Sequence, residues 1–327
     1  MNDKVKSRVI GIDIDVNTTT IAVVDLRGNI IAQDSIQTEQ YTSINSFVEA
    51  LSERVIALAE ANGGYENIRS VGMCAPSANF LTGCIENAAN MPWKGIVPLA
   101  AMLRDSIGLA VALGNDAHCS ALGESAYGVA HGMETFITIT MVRSGLGSCF
   151  FSNGVAHLGY DGFAGEVGHA CIEDGGRQCT CGRRGCLEEY VSNRGIIRTA
   201  RELMEKTDTP SILRDAKELT LESILDAANK NDALAIEVWR YTGVLLGIGI
   251  ANYASIVNPE AIIITGEIIK MVYPKMWDVV EETFKEHVFG NIRDKVKIVL
   301  SAVNDHERNV LGASALAWKV KEYSLFK

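Results

Sequence analysis

The chain is expected to be an α/β protein of two related domains, and three observations carry that expectation. A β-branched run at residues 8–14 (R-V-I-G-I-D-I) is followed by a polar turn, a second strand, a glycine turn and a third strand. The same order recurs from residue 134, where E-T-F-I-T-I-T-M-V leads through Arg143-Ser144-Gly145 and later Ser152-Asn153-Gly154. Each repeat then passes into alternating helical and strand-like segments, the pattern of layered α/β domains.

In the first repeat, Val16-Asn17-Thr18 turns the chain into a strand at 19–25, and Leu26-Arg27-Gly28-Asn29 turns it again into 30–36. Ile44, Phe47, Val48, Leu51, Val55 and Leu58 recur at helical spacing, so 43–62 is an amphipathic helix closed by Gly63-Gly64. A strand at 68–74, a helix near 97–107 and a short strand at 109–114 follow. In the second repeat, strands at 134–142 and 146–151 precede a mostly helical stretch over 189–240. A helix at 234–256 carries Gly243, Gly247 and Gly249, which suit close packing against a neighbour. Strands at 261–265 and 296–301 and an alanine-rich helix at 307–322 complete the pattern. The expected division is 1–116 plus about 307–327 for one domain and 117–306 for the other.

With 327 residues, 47% apolar and 21% charged, the composition is that of a globular protein with room for two cores. A net charge of −10 argues against a nucleic-acid or anionic-membrane surface. No stretch reads as a membrane span, and the N-terminus runs into a strand without a signal-peptide apolar core. Five of the eight cysteines are scattered in apolar contexts, as reduced thiols are, and a cytoplasmic location is expected.

The other three cluster. Cys179, Cys181 and Cys186 lie among Gly175, Gly176, Gly182 and Gly185, and His169 precedes them. One imidazole and three thiolates make a closed tetrahedral set suited to structural zinc; unpaired thiols in a glycine-rich loop are the bland alternative. Glu166 and Glu188 flank the set. A metal would hold both acids and the free imidazole nitrogen near one point, fit for a polar ligand.

These residues resemble the ROK family of sugar kinases and sugar-responsive repressors. E-V-G-H at 166–169 with its glutamate, and C-T-C-G-R-R-G-C-L-E at 179–188, match its signatures E-x-G-H and C-x-C-G-x-x-G-C-x-E. Gly114-Asn115-Asp116-Ala117 matches the segment of the catalytic aspartate, and Asn90 in N-A-A-N-M-P-W-K a sugar-contacting asparagine. The resemblance implies two actin-like ATPase (ribonuclease H-like) domains around a cleft, a homodimer, and ATP with Mg²⁺ as phosphoryl donor. It implies Asp116 as general base, with Asn90, Asn115, Glu166, His169 and Glu188 on the hydroxyls of a hexose or N-acylhexosamine. Zinc on His169, Cys179, Cys181 and Cys186 would be structural.

The phosphate side departs from that pattern. Where the family reads D-x-G-G-T, this chain has Asp13-Ile14-Asp15-Val16-Asn17; G-T-G-x-G becomes Arg143-Ser144-Gly145-Leu146-Gly147, and G-G-G becomes Thr265-Gly266-Glu267. Lost glycines remove bare amides that cradle phosphate, and added acids repel it. Asp13, Asn17, Arg143, Ser144, Gly145 and Gly266 are the remaining candidates for nucleotide contact. Arg143 either meets phosphate directly or pairs with Asp15 or Glu267. Two functions follow: an ATP-dependent sugar kinase, or a sugar sensor without phosphoryl transfer. A DNA-binding repressor is not expected, since only about seven residues precede the first strand, too few for a helix-turn-helix.

Overall fold

Apolar residues set two five-stranded sheets, each with helices packed on it. The computed structural model describes residues 6–88 and 90–320. Its elements begin β1 (Arg8–Ile14), β2 (Thr18–Asp25), β3 (Ile30–Gln37), α1 (Ile44–Ala61), β4 (Ile68–Cys74), β5 (Ala78–Asn79) and β6 (Cys84–Glu86). Then come β7 (Ile96–Val97), α2 (Leu99–Ile107), β8 (Val111–Gly114), α3 (Asp116–Tyr127), β9 (Phe136–Val142), β10 (Gly145–Ser152) and β11 (Val155–Ala156). The order continues α4 (Glu188–Val191), α5 (Asn193–Lys206), α6 (Leu221–Asn229), α7 (Ala233–Val257), β12 (Ala261–Thr265), α8 (Glu267–His287), β13 (Lys297–Leu300) and α9 (Arg308–Lys319).

The chain divides into two compact units. The first holds residues up to 132, 158–164 and those from 302 on; the second holds 133–157 and 165–301. The division falls at 132 and 302, where the sequence suggested 116 and 307. The reason is α3, which packs along α9 and so stays with the first unit.

The first unit's sheet runs β3-β2-β1-β4-β8, antiparallel from β3 to β1 and parallel from β1 to β8. Central β1 is buried along Val9, Ile10, Ile12 and Ile14, as a strand covered on both faces must be. Gly11 and Gly72 admit α9 to one face: a Cβ at either would lie 2.4 Å from the Val310 carbonyl oxygen and 1.9 Å from that of Ala313, respectively. Phe47, Leu51 and Val55 of α1 join the core with Ile10 and Ile12.

The second unit repeats this plan. Its sheet order is β11-β10-β9-β12-β13, with β9 antiparallel to β10 and parallel to β12. The expected repeat is therefore one topology used twice. Gly243 and Gly247 let α7 approach α8, where a Cβ would meet the Met276 carbonyl oxygen at 3.2 Å and the Thr283 Cβ at 2.6 Å.

Three features depart from the sequence reading. Helix α8 was not anticipated; exposed Pro274 lies inside it and removes one donor without ending it. The small sheet β5-β6-β7 forms between the strand at 68–74 and the helix near 97–107, where the sequence suggested no strand. Helix α7 is long and apolar enough to cross a membrane by length and composition, with a mean hydropathy of 1.4, where no such stretch was expected. Of that apolar window 61% is buried within the protein, against α8, α5, α6 and α4.

Candidate active site

In the first unit, candidate residues gather where β1 and β8 end. Asn115 caps α3, its side-chain oxygen accepting from the His118 amide at 2.7 Å, which fixes Asp116 as the first helical residue. Asp116 accepts from the Ala117 amide at 2.9 Å. Its side chain touches solvent yet is crowded by protein atoms, and this crowding raises its carboxyl above the ordinary value; nearby Asp15 adds to the rise and Arg308 opposes it. Asp13, half-buried at the end of β1, is pushed up to about 6, chiefly by burial. Asn309 donates to it at 3.3 Å. Asp13, Asp15 and Asp116 thus act on one another from two elements, and the same helix start that supplies the Asn115 cap presents Asp116.

Asn90 stands exposed on its own loop. Its neighbours anchor that loop: Met91 and Trp93 are buried, and the Trp93 indole donates to the Tyr41 carbonyl at 3.0 Å while its ring packs at a tilt against Phe47, centroids 4.4 Å apart. Ser77, on the preceding loop, adopts φ 54°, which a glycine would hold without strain. Asn17 is exposed, and its carbonyl accepts from the Thr38 amide at 2.8 Å.

In the second unit the cysteine loop folds around the expected metal set. The ligand atoms of His169, Cys179, Cys181 and Cys186 all lie within 4.8 Å of one another. His169 Nδ1 is 3.7 Å from the Cys179 Sγ, and the Cys181 and Cys186 sulfurs are 3.7 Å apart. Tetrahedral zinc with Zn–S near 2.3 Å requires sulfurs about 3.7–3.8 Å apart, so the set fits zinc. Three thiolates this close repel, and burial with the neighbouring thiols pushes Cys186 up to about 12; a divalent cation removes that conflict. Gly185, at φ 77°, is obligatory, since a Cβ there would lie 1.8 Å from the Glu173 carbonyl oxygen. Because Nδ1 faces the thiols, the other imidazole nitrogen is left for a second partner.

Glu166 is exposed, and its carbonyl accepts from the His169 amide at 3.1 Å. Glu188 has a different setting. It is buried, one oxygen accepts from the Leu146 amide at 3.0 Å, and the other pairs with Arg194. It also lies within 4.8 Å of Cys179, so it links the cysteine loop to the β9–β10 hairpin. Arg194 binds Glu189 too, at 2.7 Å. Neither Arg194 nor Arg177 stood out in the sequence. Arg177 is buried and donates to the Glu189 and Gly195 carbonyls, Thr199 and Glu202, tying the cysteine loop to α5.

The hairpin turn itself is Arg143-Ser144, both exposed. The Arg143 guanidinium pairs with Glu222 of α6 rather than with Glu267 of its own unit. Glu267 instead accepts from the Arg143 main-chain amide at 3.0 Å. Gly266, at φ 103°, permits this contact, because a Cβ would fall 2.2 Å from the Met141 carbonyl oxygen. Gly145 is needed for space: a Cβ would lie 2.6 Å from the Glu188 carboxylate. Two amides near the turn, those of Arg143 and Leu146, therefore already serve carboxylates.

The ROK family profile matches residues 9–320. The chain belongs to the ROK family. A glucokinase of Halalkalibacterium halodurans is 29% identical over 96% of this chain and 94% of its own length. The xylose repressor of Bacillus subtilis is 24% identical over 94% of this chain and 76% of the repressor. Among solved structures, a ROK family glucokinase from Streptomyces griseus in complex with glucose and AMPPNP superposes with a TM-score of 0.73. It is 26% identical over 96% of this chain and all of its own. The fold is the actin-like ATPase fold of the ROK sugar kinases.

Proposed function

We propose that this ROK protein is an ATP-dependent sugar kinase acting on a hexose or N-acylhexosamine, with Asp116 as general base. The setting of Asp116 carries the reading: a solvent-accessible carboxylate fixed at a helix start, its pKa raised above the ordinary carboxylate value by crowding, which makes it a stronger base. Asp116 would take the proton of the sugar's 6-hydroxyl as that oxygen attacks the γ-phosphorus. The bond from phosphorus to the bridging oxygen breaks, and its electron pair leaves on ADP. Asp13, a half-buried carboxylate, suits a hard cation, so Mg²⁺ delivered with ATP would neutralise phosphate charge there. Asn90, Asn115, Glu166 and His169 would hold sugar hydroxyls, with zinc on His169 and the three cysteines fixing that grip. Glu188 would act by holding Arg194 and the hairpin in place. Cytoplasmic location and a homodimer complete the proposal; light scattering checks the latter.

A coupled assay over a panel of hexoses and N-acylhexosamines tests the reaction. The expected result is turnover of one sugar class that Asp116→Asn lowers by about 10²–10⁴-fold. Absence of any turnover sensitive to that substitution would count against the kinase.

A second reading, sugar binding without phosphoryl transfer, is favoured by one observation: carboxylates of Glu267 and Glu188 occupy amides at the β9–β10 turn. The same turn supplies the expected phosphate contacts Ser144 and Gly145, while Gly266 lies beside it. Repressors among the relatives make a sensing role chemically reasonable.

A further inference from the structure

Cys171 is a thiol that neither the metal set nor the reaction scheme uses. It is exposed, whereas Cys74, Cys84, Cys119 and Cys149 are buried, and it is not one of the four converging metal ligands. The chain returns past it, so that Cys171 faces Cys186 across an isolated antiparallel bridge. The Ile172 amide donates to the Gly185 carbonyl at 2.8 Å and the Leu187 amide to the Ala170 carbonyl at 3.0 Å, so these two bonds flank the cysteines. That makes them a non-hydrogen-bonded pair, with α-carbons about 4.5 Å apart and both side chains on one face. A disulfide needs α-carbons about 4.4–6.8 Å apart, so this pair can be joined with little movement of the backbone. Gly185 leaves the approach open: a Cβ there would stand 3.1 Å from the Cys171 sulfur.

We propose that Cys171 and Cys186 are a peroxide-sensitive thiol pair, whose oxidation takes Cys186 away from the metal. The exposed Cys171 thiolate attacks one oxygen of the peroxide; the O–O bond breaks, and a sulfenic acid and hydroxide form. The Cys186 sulfur then attacks the Cys171 sulfur, the S–O bond breaks, and a second hydroxide leaves. Two thiolates have lost two electrons, and the peroxide has gained them. A disulfide sulfur carries no negative charge, so the tetrahedral set keeps His169, Cys179 and Cys181 and loses its fourth ligand. Cys181 is exposed too, but its sulfur shares its charge with the metal, whereas the Cys171 sulfur has no place on it and reacts first. The effect on the metal rests on the proposed zinc site; the bond itself rests on the strand pairing alone.

The test exposes the zinc-loaded full chain to a small excess of hydrogen peroxide and follows zinc with a chromogenic chelator. Zinc should be released as two thiols disappear, and dithiothreitol with added zinc should reverse the loss. Trypsin cuts after Arg177, Arg184 and Arg194, so peptide masses tell a link to Cys186 from one to Cys179 or Cys181. Cys149 shares the Cys171 peptide, and Cys171→Ser, which removes the link, tells the two apart. Cys171→Ser and Cys171→Ala should each slow zinc release by about tenfold or more, since the thiol beside the metal ligand is gone. Equal release from the parent and both variants overturns the proposal, as does a parent disulfide that joins Cys179, Cys181 or Cys186 to one another. If the purified chain holds no zinc, the metal reading fails, while the peptide map still decides the pair: a Cys171–Cys186 link supports it and the absence of that link overturns it. Zinc release that leaves sugar affinity intact detaches the metal from the sugar grip and leaves the thiol pair standing.

Discussion

The cysteine loop and the β9–β10 turn lie in one unit and share Glu188, yet their donor and acceptor groups are satisfied in opposite ways. In the loop, four ligand atoms, one imidazole nitrogen and three sulfurs, converge within 4.8 Å, a set that a divalent cation would hold together. At the turn, amides suited to an anion already have one, supplied by the protein as Glu267 and Glu188. The loop is built to receive something; the turn is partly self-satisfied. On the proposed kinase reading, the difference separates a strongly specified sugar grip from a phosphate grip that competes with the chain's own acids.

Breaking the loop should have the larger effect. Removing zinc by chelation, or replacing Cys179 with Ser, is expected to weaken sugar binding by about 10–100-fold, the usual reach of groups that orient a ligand through a metal. Calorimetry with the sugar measures this, and hydrogen exchange should show faster opening at Leu146, because Glu188 joins loop and hairpin. Unchanged sugar affinity after chelation would detach the metal from the grip.

Asp13 tests the acidic end of the phosphate side. Its folded pKa, about 6, exceeds its ordinary 3.8, so its favourable contribution is complete below about pH 4 and lost as pH rises through 6. Asp13→Asn cannot ionise and still accepts from Asn309. It should be more stable than the parent above pH 7, by on the order of 1–3 kcal/mol, with the advantage vanishing at about pH 4. Urea melts at the two pH values check the sign.

Sharpening the turn is a smaller change. Glu267→Ala frees the Arg143 amide and removes one negative charge, and should tighten Mg·AMPPNP binding about tenfold, or 1.4 kcal/mol. The smallest expected effect is at Ser77. Glycine relieves φ 54° at some entropic cost, so Ser77→Gly should stabilise the protein by about 0.5–1 kcal/mol in thermal melts.

Much of this was legible because it is local. The repeated meander, the helix at 44–61 and the metal set rest on spacing within short stretches. Asn309 was not legible, since its meaning depends on Asp13, 296 residues away in the chain and reached only through the packing of α9 on the sheet. Arg143 illustrates the same limit: its partner, Glu222, begins a helix that nothing in the loop motif points to. Glu188 sits in a signature that suggests a sugar contact, but the Leu146 amide and Arg194 that engage it come from a strand and a helix outside that signature. Helix α8 was hidden by Pro274, which reads as a breaker but is tolerated on an exposed face.

Nucleotide binding bears most directly on the central proposal. Titrating the zinc-loaded protein, saturated with the sugar it binds, with Mg·AMPPNP should give saturable binding that Asp13→Asn weakens. Tight sugar binding with no heat or displacement from Mg·AMPPNP would contradict the kinase and leave a sugar sensor.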